Sequence, residues 1–175
     1  MNTLKILAVA FACVVSRPLS AAARTVFTDA QIAGIVGAAN QDELDAAALA
    51  VDKTQDADVK AFAERMTKDH GGAKLKLADL EAKTGSVPGV TAVSDDLTKH
   101  GSDELAQLGA LTGAAFDRAY IDAEVSDHAA LLKKFNEDLI PDAKNPSLAA
   151  LLRKLRPVIA SHLAKARRLR ARFKD

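Results

Sequence analysis

The chain has 175 residues, with 24 Lys or Arg against 23 Asp or Glu, a formal charge of +1 and a single cysteine, Cys13. That length fits one domain with a sizeable core, the near-neutral balance gives no global attraction for nucleic acid, and one cysteine forms no internal disulfide. Aromatic residues make up only 4% and Trp is absent while Ala and Leu abound, a composition that favours helices packed closely through small side chains.

The N-terminus differs from the rest. Lys5 precedes the apolar run Ile6–Val15, followed by Pro18 and the small residues Ser20-Ala-Ala-Ala23. A short positive region, an apolar core and an Ala-x-Ala ending are the parts of a secretory signal peptide, so residues 1–23 are read as one, cleaved near Ala23. The run is too short to span a bilayer, which takes about 20 residues. Two alternatives stand beside this: a frayed first helix, or a lipoprotein anchored at Cys13, for which Ala10-Phe11-Ala12 is a poor match. No second apolar run follows, so the remainder, 24–175, reads as one soluble exported domain of the periplasm or envelope.

Removing Lys5 and Arg17 leaves 22 basic against 23 acidic residues. Nine of the basic residues lie from Arg153 onward, beside one acid, Asp175, so residues 24–152 carry 13 basic and 22 acidic groups. The body is acidic and its last helix basic. Such an end either complements its own helix dipole, lies against the acidic body, or meets an anionic membrane surface or envelope protein.

The predicted elements follow in order. Thr28, with Gln31 three residues on, reads as a capping box opening a first helix to about Lys53, in which Gly34 and Gly37 weaken the helix or admit a close neighbour. Asp56 caps a second helix over 57–84, ended by Gly85 with Pro88 beyond. Its apolar positions Val59, Phe62, Met66, Ala73, Leu77 and Leu80 step by threes and fours except for one gap of seven, which His70 fills. Residues 85–112 carry only a short helical signal around Ser94–Leu111, interrupted by Gly101 and Gly109. A long loop in a compact domain needs a task, and this one reads as a crossover returning the chain along a bundle ~42 Å long, the length of a ~28-residue helix.

A third helix runs from Gly113 to Ile140, with Pro141 as its stop, and His128 fills the vacant step between Val125 and Leu132. The fourth begins at Pro146 behind the cap Asn145; His162 fills the gap between Ile159 and Ala166, and Pro157 predicts a kink. The second and third helices share a phrase. Phe62 precedes Asp69-His70, and Tyr120 precedes Asp127-His128, each aromatic eight residues ahead of its histidine. Positions eight apart lie about 80° from each other on a helix, on one broad face. Two short hairpins joined by a long crossover give an all-α, ferritin-like four-helix bundle.

The phrases Val59-Lys-Ala-Phe-Ala-Glu-Arg-Met66 with Asp69-His70, Leu111-Thr-Gly-Ala-Ala-Phe-Asp117 with Tyr120-Ile121, Asp127-His128, and Arg156-Pro157 with His162-Leu163 resemble an exported bacterial family. It is labelled domain of unknown function 4142, within the ferritin-like superfamily. The resemblance covers about residues 28–172. It implies the bundle fold and a periplasmic or envelope location, and it supplies no reaction.

The site argument therefore rests on geometry. His70, His128 and His162 each fall near the middle of a helix, and the first helix offers Glu43 at the same level. Three nitrogens and one carboxylate make a sensible shell for one zinc, copper or iron ion, and Tyr120, Glu124 and Asp127 are positioned to orient His128. The alternative is a polar layer of hydrogen-bonded imidazoles that sets helix register without metal. Three residues before the histidines stand Thr67, Val125 and Ile159, so the Glu-x-x-His pattern of carboxylate-bridged di-iron proteins is absent. His100, in the crossover, reads as solvated, and no arrangement suggests nucleophilic catalysis or phosphate binding. Two roles remain: a non-enzymatic envelope bundle with a binding or stress-related role, which is preferred, and a periplasmic metal-binding bundle with a mononuclear three-histidine, one-carboxylate site open to redox activity.

Overall fold

The computed structural model describes residues 24–173. The signal-peptide expectation for 1–23, with Cys13, lies outside the described residues, as do Lys174 and Asp175. The described chain is helical: α1 (Asp29–Lys53), α2 (Ala57–Thr84), α3 (Ala92–Gly109), α4 (Gly113–Lys134), a π-helical segment (Phe135–Leu139), one further turn α5 (Ile140–Asp142), and α6 (Pro146–Arg170).

The helix starts follow from their caps. At α1 the Thr28 amide donates to Gln31 Oε1 at 2.9 Å and the Gln31 amide donates to Thr28 Oγ1 at 3.3 Å, so two otherwise orphan donors are satisfied together. Asp56 accepts from the amides of Asp58 and Val59 to open α2, and Asn145 accepts from those of Ser147 and Leu148 to open α6. Gly85 ends α2 in the left-handed conformation, φ 65°, where glycine carries no steric cost.

Two expectations are corrected. The crossover contains an uninterrupted helix of 18 residues, α3, where the glycines suggested only a broken signal. Gly101 is a place of close approach: a Cβ there would stand 2.5 Å from Asp42 Oδ1. The third predicted helix also does not stop before Pro141. It passes through the π-helical segment and continues to Asp142. Pro141 has no N–H for the Glu137 carbonyl four residues back, and Arg24 Nη1 donates to that carbonyl at 3.3 Å. Arg24 also pairs with Asp142 at 2.6 Å, tying the start of the described chain to this turn. α6 runs unbroken across Pro157.

The core falls into two apolar clusters. One gathers Ile32, Ile35 and Val36 of α1, Ala73 and Leu77 of α2, Phe135 and Leu139, and Leu148 to Ile159 of α6. The other gathers Ala46 to Ala50 of α1, Val59 to Met66 of α2, Phe116 to Ile121 of α4, and Ala166 and Leu169 of α6. Chain direction follows from this division. α1 and α6 start in the first cluster and end in the second, whereas α2 and α4 start in the second and end in the first. α2 and α4 therefore run the same way. Between them α3 returns along the length of the molecule, with Val93 and Leu97 against the first cluster and Leu108 in the second. α3 lies on α1, and α1, α2, α6 and α4 pack in a closed ring. The crossover enters at Gly89, whose amide donates to the Ala30 carbonyl at 2.7 Å. There the chain lies so close that a Cβ on Gly34 would meet the Gly89 oxygen.

Candidate metal centre

Between the two apolar clusters each bundle helix contributes polar residues to one layer: Asn40 and Glu43 from α1, His70 from α2, Glu124 and His128 from α4, His162 from α6. All are buried, His128 and His162 completely. The gaps of seven in the apolar stripes are the origin of this layer, because each puts a histidine where the helix face turns into the core. The three imidazoles form a near-equilateral triangle, with ring centroids 5.5, 5.2 and 5.3 Å apart. One ring nitrogen from each can be chosen so that all lie within 4.8 Å of one another. Phe62 closes the layer edge-on to His162 at 6.4 Å, and Phe62 also packs on Tyr120 at 6.3 Å, so the two aromatics that precede the Asp-His phrases meet under the cluster.

The outer edge of each ring is held by a partner that sets its tautomer. Asn40 Nδ2 donates to the Val36 carbonyl at 2.7 Å, which turns Asn40 Oδ1 toward His70 Nδ1 at 3.0 Å. An amide oxygen only accepts, so His70 Nδ1 carries the proton and Nε2 the lone pair. His128 Nδ1 donates to the Glu124 carbonyl at 3.1 Å, and His162 Nε2 donates to Asp69 Oδ2 at 2.9 Å. The opposite nitrogens, His70 Nε2, His128 Nε2 and His162 Nδ1, are buried without a hydrogen-bond partner. Each ring thus keeps one buried nitrogen with a free lone pair and no protein donor on it. A buried acceptor left unpaired costs about 1–3 kcal/mol. A polar layer built for register alone would pair those atoms; a metal-ligand set leaves them bare and orients each ring from behind. A void of about 20 Å³ borders His70 and His162, room for one water.

The same burial shapes the titration of these groups. His70 is pushed down to about 3, by burial first and then by the neighbouring His128 and His162. Burial also lowers His162, partly offset by Asp69. For Asp69, burial would raise the carboxyl, but His162 and Arg65 outweigh it and the net shift is downward. His70 and His162 at neutral pH are therefore uncharged, ligand-competent imidazoles.

Glu43 is brought to the layer but not to the bare nitrogens. Its Oε1 lies 3.5 Å from His128 Nδ1, the outer edge of that ring, with Glu124 Oε2 at 3.2 Å from the same atom. Burial, then the Glu124 carboxylate, raises Glu43 well above the usual glutamate value. Of the three residues expected to orient His128, Glu124 does so through its carbonyl. Tyr120 is fully buried beside Glu124, its pKa raised by burial and then by that neighbour. Asp127 turns away and accepts from His100 Nε2 at 3.1 Å, so His100 is half-exposed yet paired. Asn40 goes unmarked by the sequence, and Asp69, visible in the Asp-His phrase, holds the ring of His162 and not that of its chain neighbour. An asparagine inside the alanine-rich stripe of α1 was the available signal for the first.

At the basic end, Arg172 pairs with Asp56 and Asp58, and Arg170 with Asp122, while Arg153, Lys154, Arg167 and Arg168 are exposed. The basic helix thus meets the acidic body in part. Among the described residues no helix is long and apolar enough to cross a membrane.

Fold and site together define an all-α bundle whose buried histidine and glutamate groups can hold a metal ion. The chain belongs to the family described as a domain of unknown function (DUF4142), whose model matches residues 15–169. In fold it is similar to the crystal structure of a DUF305 fragment from Deinococcus radiodurans, with a TM-score of 0.69 and 16% identity over 85% of this chain and all of that one. No curated protein matches it.

Proposed function

We propose that this chain is an exported metal-binding protein of the periplasm or envelope, a ferritin-like bundle that holds one transition-metal ion on His70, His128 and His162. One observation carries the reading: three buried imidazoles from three helices bring ring nitrogens within 4.8 Å of one another, each ring held by a partner at one nitrogen and bare at the other. Three imidazole nitrogens suit zinc, copper or iron and leave a coordination position open. Ligands at about 2.0–2.1 Å in a tetrahedral shell stand about 3.4 Å apart, a modest contraction of the triangle. Glu43 is assigned the outer edge of His128, beside Glu124, and not the fourth ligand place. The export part of the proposal rests on residues 1–23 and the ring of helix contacts supports the ferritin-like part. Metal content tests the site. Protein purified without a histidine tag or chelator is expected to carry, or take up on reconstitution, about one equivalent of zinc, copper or iron. His128→Ala is expected to carry none. Equal metal content in the two proteins, or none in either, would sink the proposal and return the histidines to a structural role.

A further inference from the structure

A second group of side chains lies on the other side of His128. A cleft of about 460 Å³ opens between α1, α3 and α4, and its lining includes Asp42, Glu43, Glu104, Glu124 and Asp127. With Asp96, six carboxyls share this space with two basic groups, His100 and Lys134. Lys134 is engaged at 3.0 Å by Asp138, outside the cleft, and His100 sits at the rim on Asp127. At the floor stands Glu124, only 3% exposed, with both carboxyl oxygens buried and without an aligned hydrogen-bond donor. The nearby His128 Nδ1–H is directed to the Glu124 carbonyl instead. Asp42 Oδ2 is likewise buried and unpartnered. One oxygen of Glu43, one of Glu124 and a nitrogen of His128 lie within 4.8 Å of one another, and His100, Glu104 and Asp127 form a second such group.

From this geometry we infer that the cleft is a second cation site, taking a divalent ion on carboxylate oxygens of Glu43 and Glu124 at its floor, with Glu104, Asp42 and Asp127 in support. It is separate from the three-histidine cluster, which lies beyond the opposite edge of the His128 ring. The donor chemistry differs accordingly. Carboxylate oxygens suit a hard ion such as manganese or magnesium, completed by water, and the volume of the cleft leaves room for that water. The mutual crowding is visible in the acids themselves: burial and neighbouring carboxyls push Glu104 up to about 8, and burial, with Asp45 and Asp127 against His100, raises Asp42 to about 6. A bound cation relieves that repulsion. Gly101 shapes the wall, since any side chain there would displace Asp42.

The test is a titration of the purified protein with manganese(II), followed by loss of the free-ion electron paramagnetic resonance signal. The wild type and His70→Ala are expected to saturate alike at about one equivalent, and Glu104→Gln to bind about tenfold or more weakly, at least the loss seen when outer supporting residues are removed from metal sites. Asp127→Asn, at the rim, gives a second reading should Glu104→Gln fold poorly, and is expected to weaken binding in the same direction. Unsaturable binding in the wild type would overturn the inference, as would binding that His70→Ala abolishes or that both cleft variants leave unchanged. The His70→Ala arm separates this result from the fate of the three-histidine proposal.

Discussion

Saturation with its transition metal is expected to raise the melting temperature by roughly 5–11 °C, and the rise is expected to vanish in His162→Ala. The magnitude follows from linkage. An ion that binds only the folded chain at a hundred times its dissociation constant stabilises it by about 2.7 kcal/mol, and 1 kcal/mol moves the midpoint of a 150–250-residue protein by about 2–4 °C. The sign separates the two accounts of the layer. In a structural polar core, each ring is as useful without metal as with it, so metal leaves wild type and variant shifted equally. In a metal site the bare nitrogens are a liability until the ion arrives, because each is a buried acceptor left unpaired. Differential scanning calorimetry of chelated and loaded protein, with the variant alongside, reads the difference.

The second large effect is acid sensitivity of the metal-free protein. His70 is held near 3 in the fold and has the ordinary value of 6.5 in the unfolded chain. Below 6.5 the unfolded chain takes up a proton that the folded one refuses, so this group's contribution to stability is lost as pH falls from 6.5 toward 3. One pKa unit corresponds to 1.36 kcal/mol, and part of the depression comes from the two neighbouring imidazoles. The wild type is therefore expected to lose about 2–3 kcal/mol more than His70→Gln between pH 6.5 and pH 4. The cleft acids work the other way. Glu104 and Asp42 are raised, so the folded chain binds their protons more readily and their contribution grows as pH falls. That term is common to both proteins and cancels in the comparison. Urea unfolding at each pH, in chelator, gives the two curves; parallel curves would contradict the assignment of a neutral buried His70.

Much of this layer could be read from residue spacing. The caps at Thr28, Asp56 and Asn145 are local hydrogen-bonding signals, and each opens its helix where expected. The gaps of seven at His70, His128 and His162 are equally local, since a helix repeats its face every seven residues. What spacing does not carry is who stands across the bundle. Asp69 neighbours His70 in the chain yet serves His162 on α6. Asp127 neighbours His128 yet serves His100 on α3. Glu43 was aligned with the histidines by height along the helix, but rotation about the helix axis decides which edge of His128 it meets. Gly101 was misread for a related reason. Glycine lowers helix propensity by about 1 kcal/mol wherever it stands, and only the tertiary neighbour, Asp42, shows that it is there to let two helices approach. The π-helical segment at Phe135–Leu139 left no comparable mark in the apolar pattern.

The most direct test of the three-histidine assignment is metal K-edge X-ray absorption on the loaded wild-type protein. The account predicts a first shell dominated by nitrogen at about 2.0–2.1 Å, with the multiple-scattering signature of about three imidazoles, reduced to two in His70→Ala if any ion is retained. A first shell of oxygens with one imidazole or none would contradict it, and would put the ion among the carboxylates of the cleft.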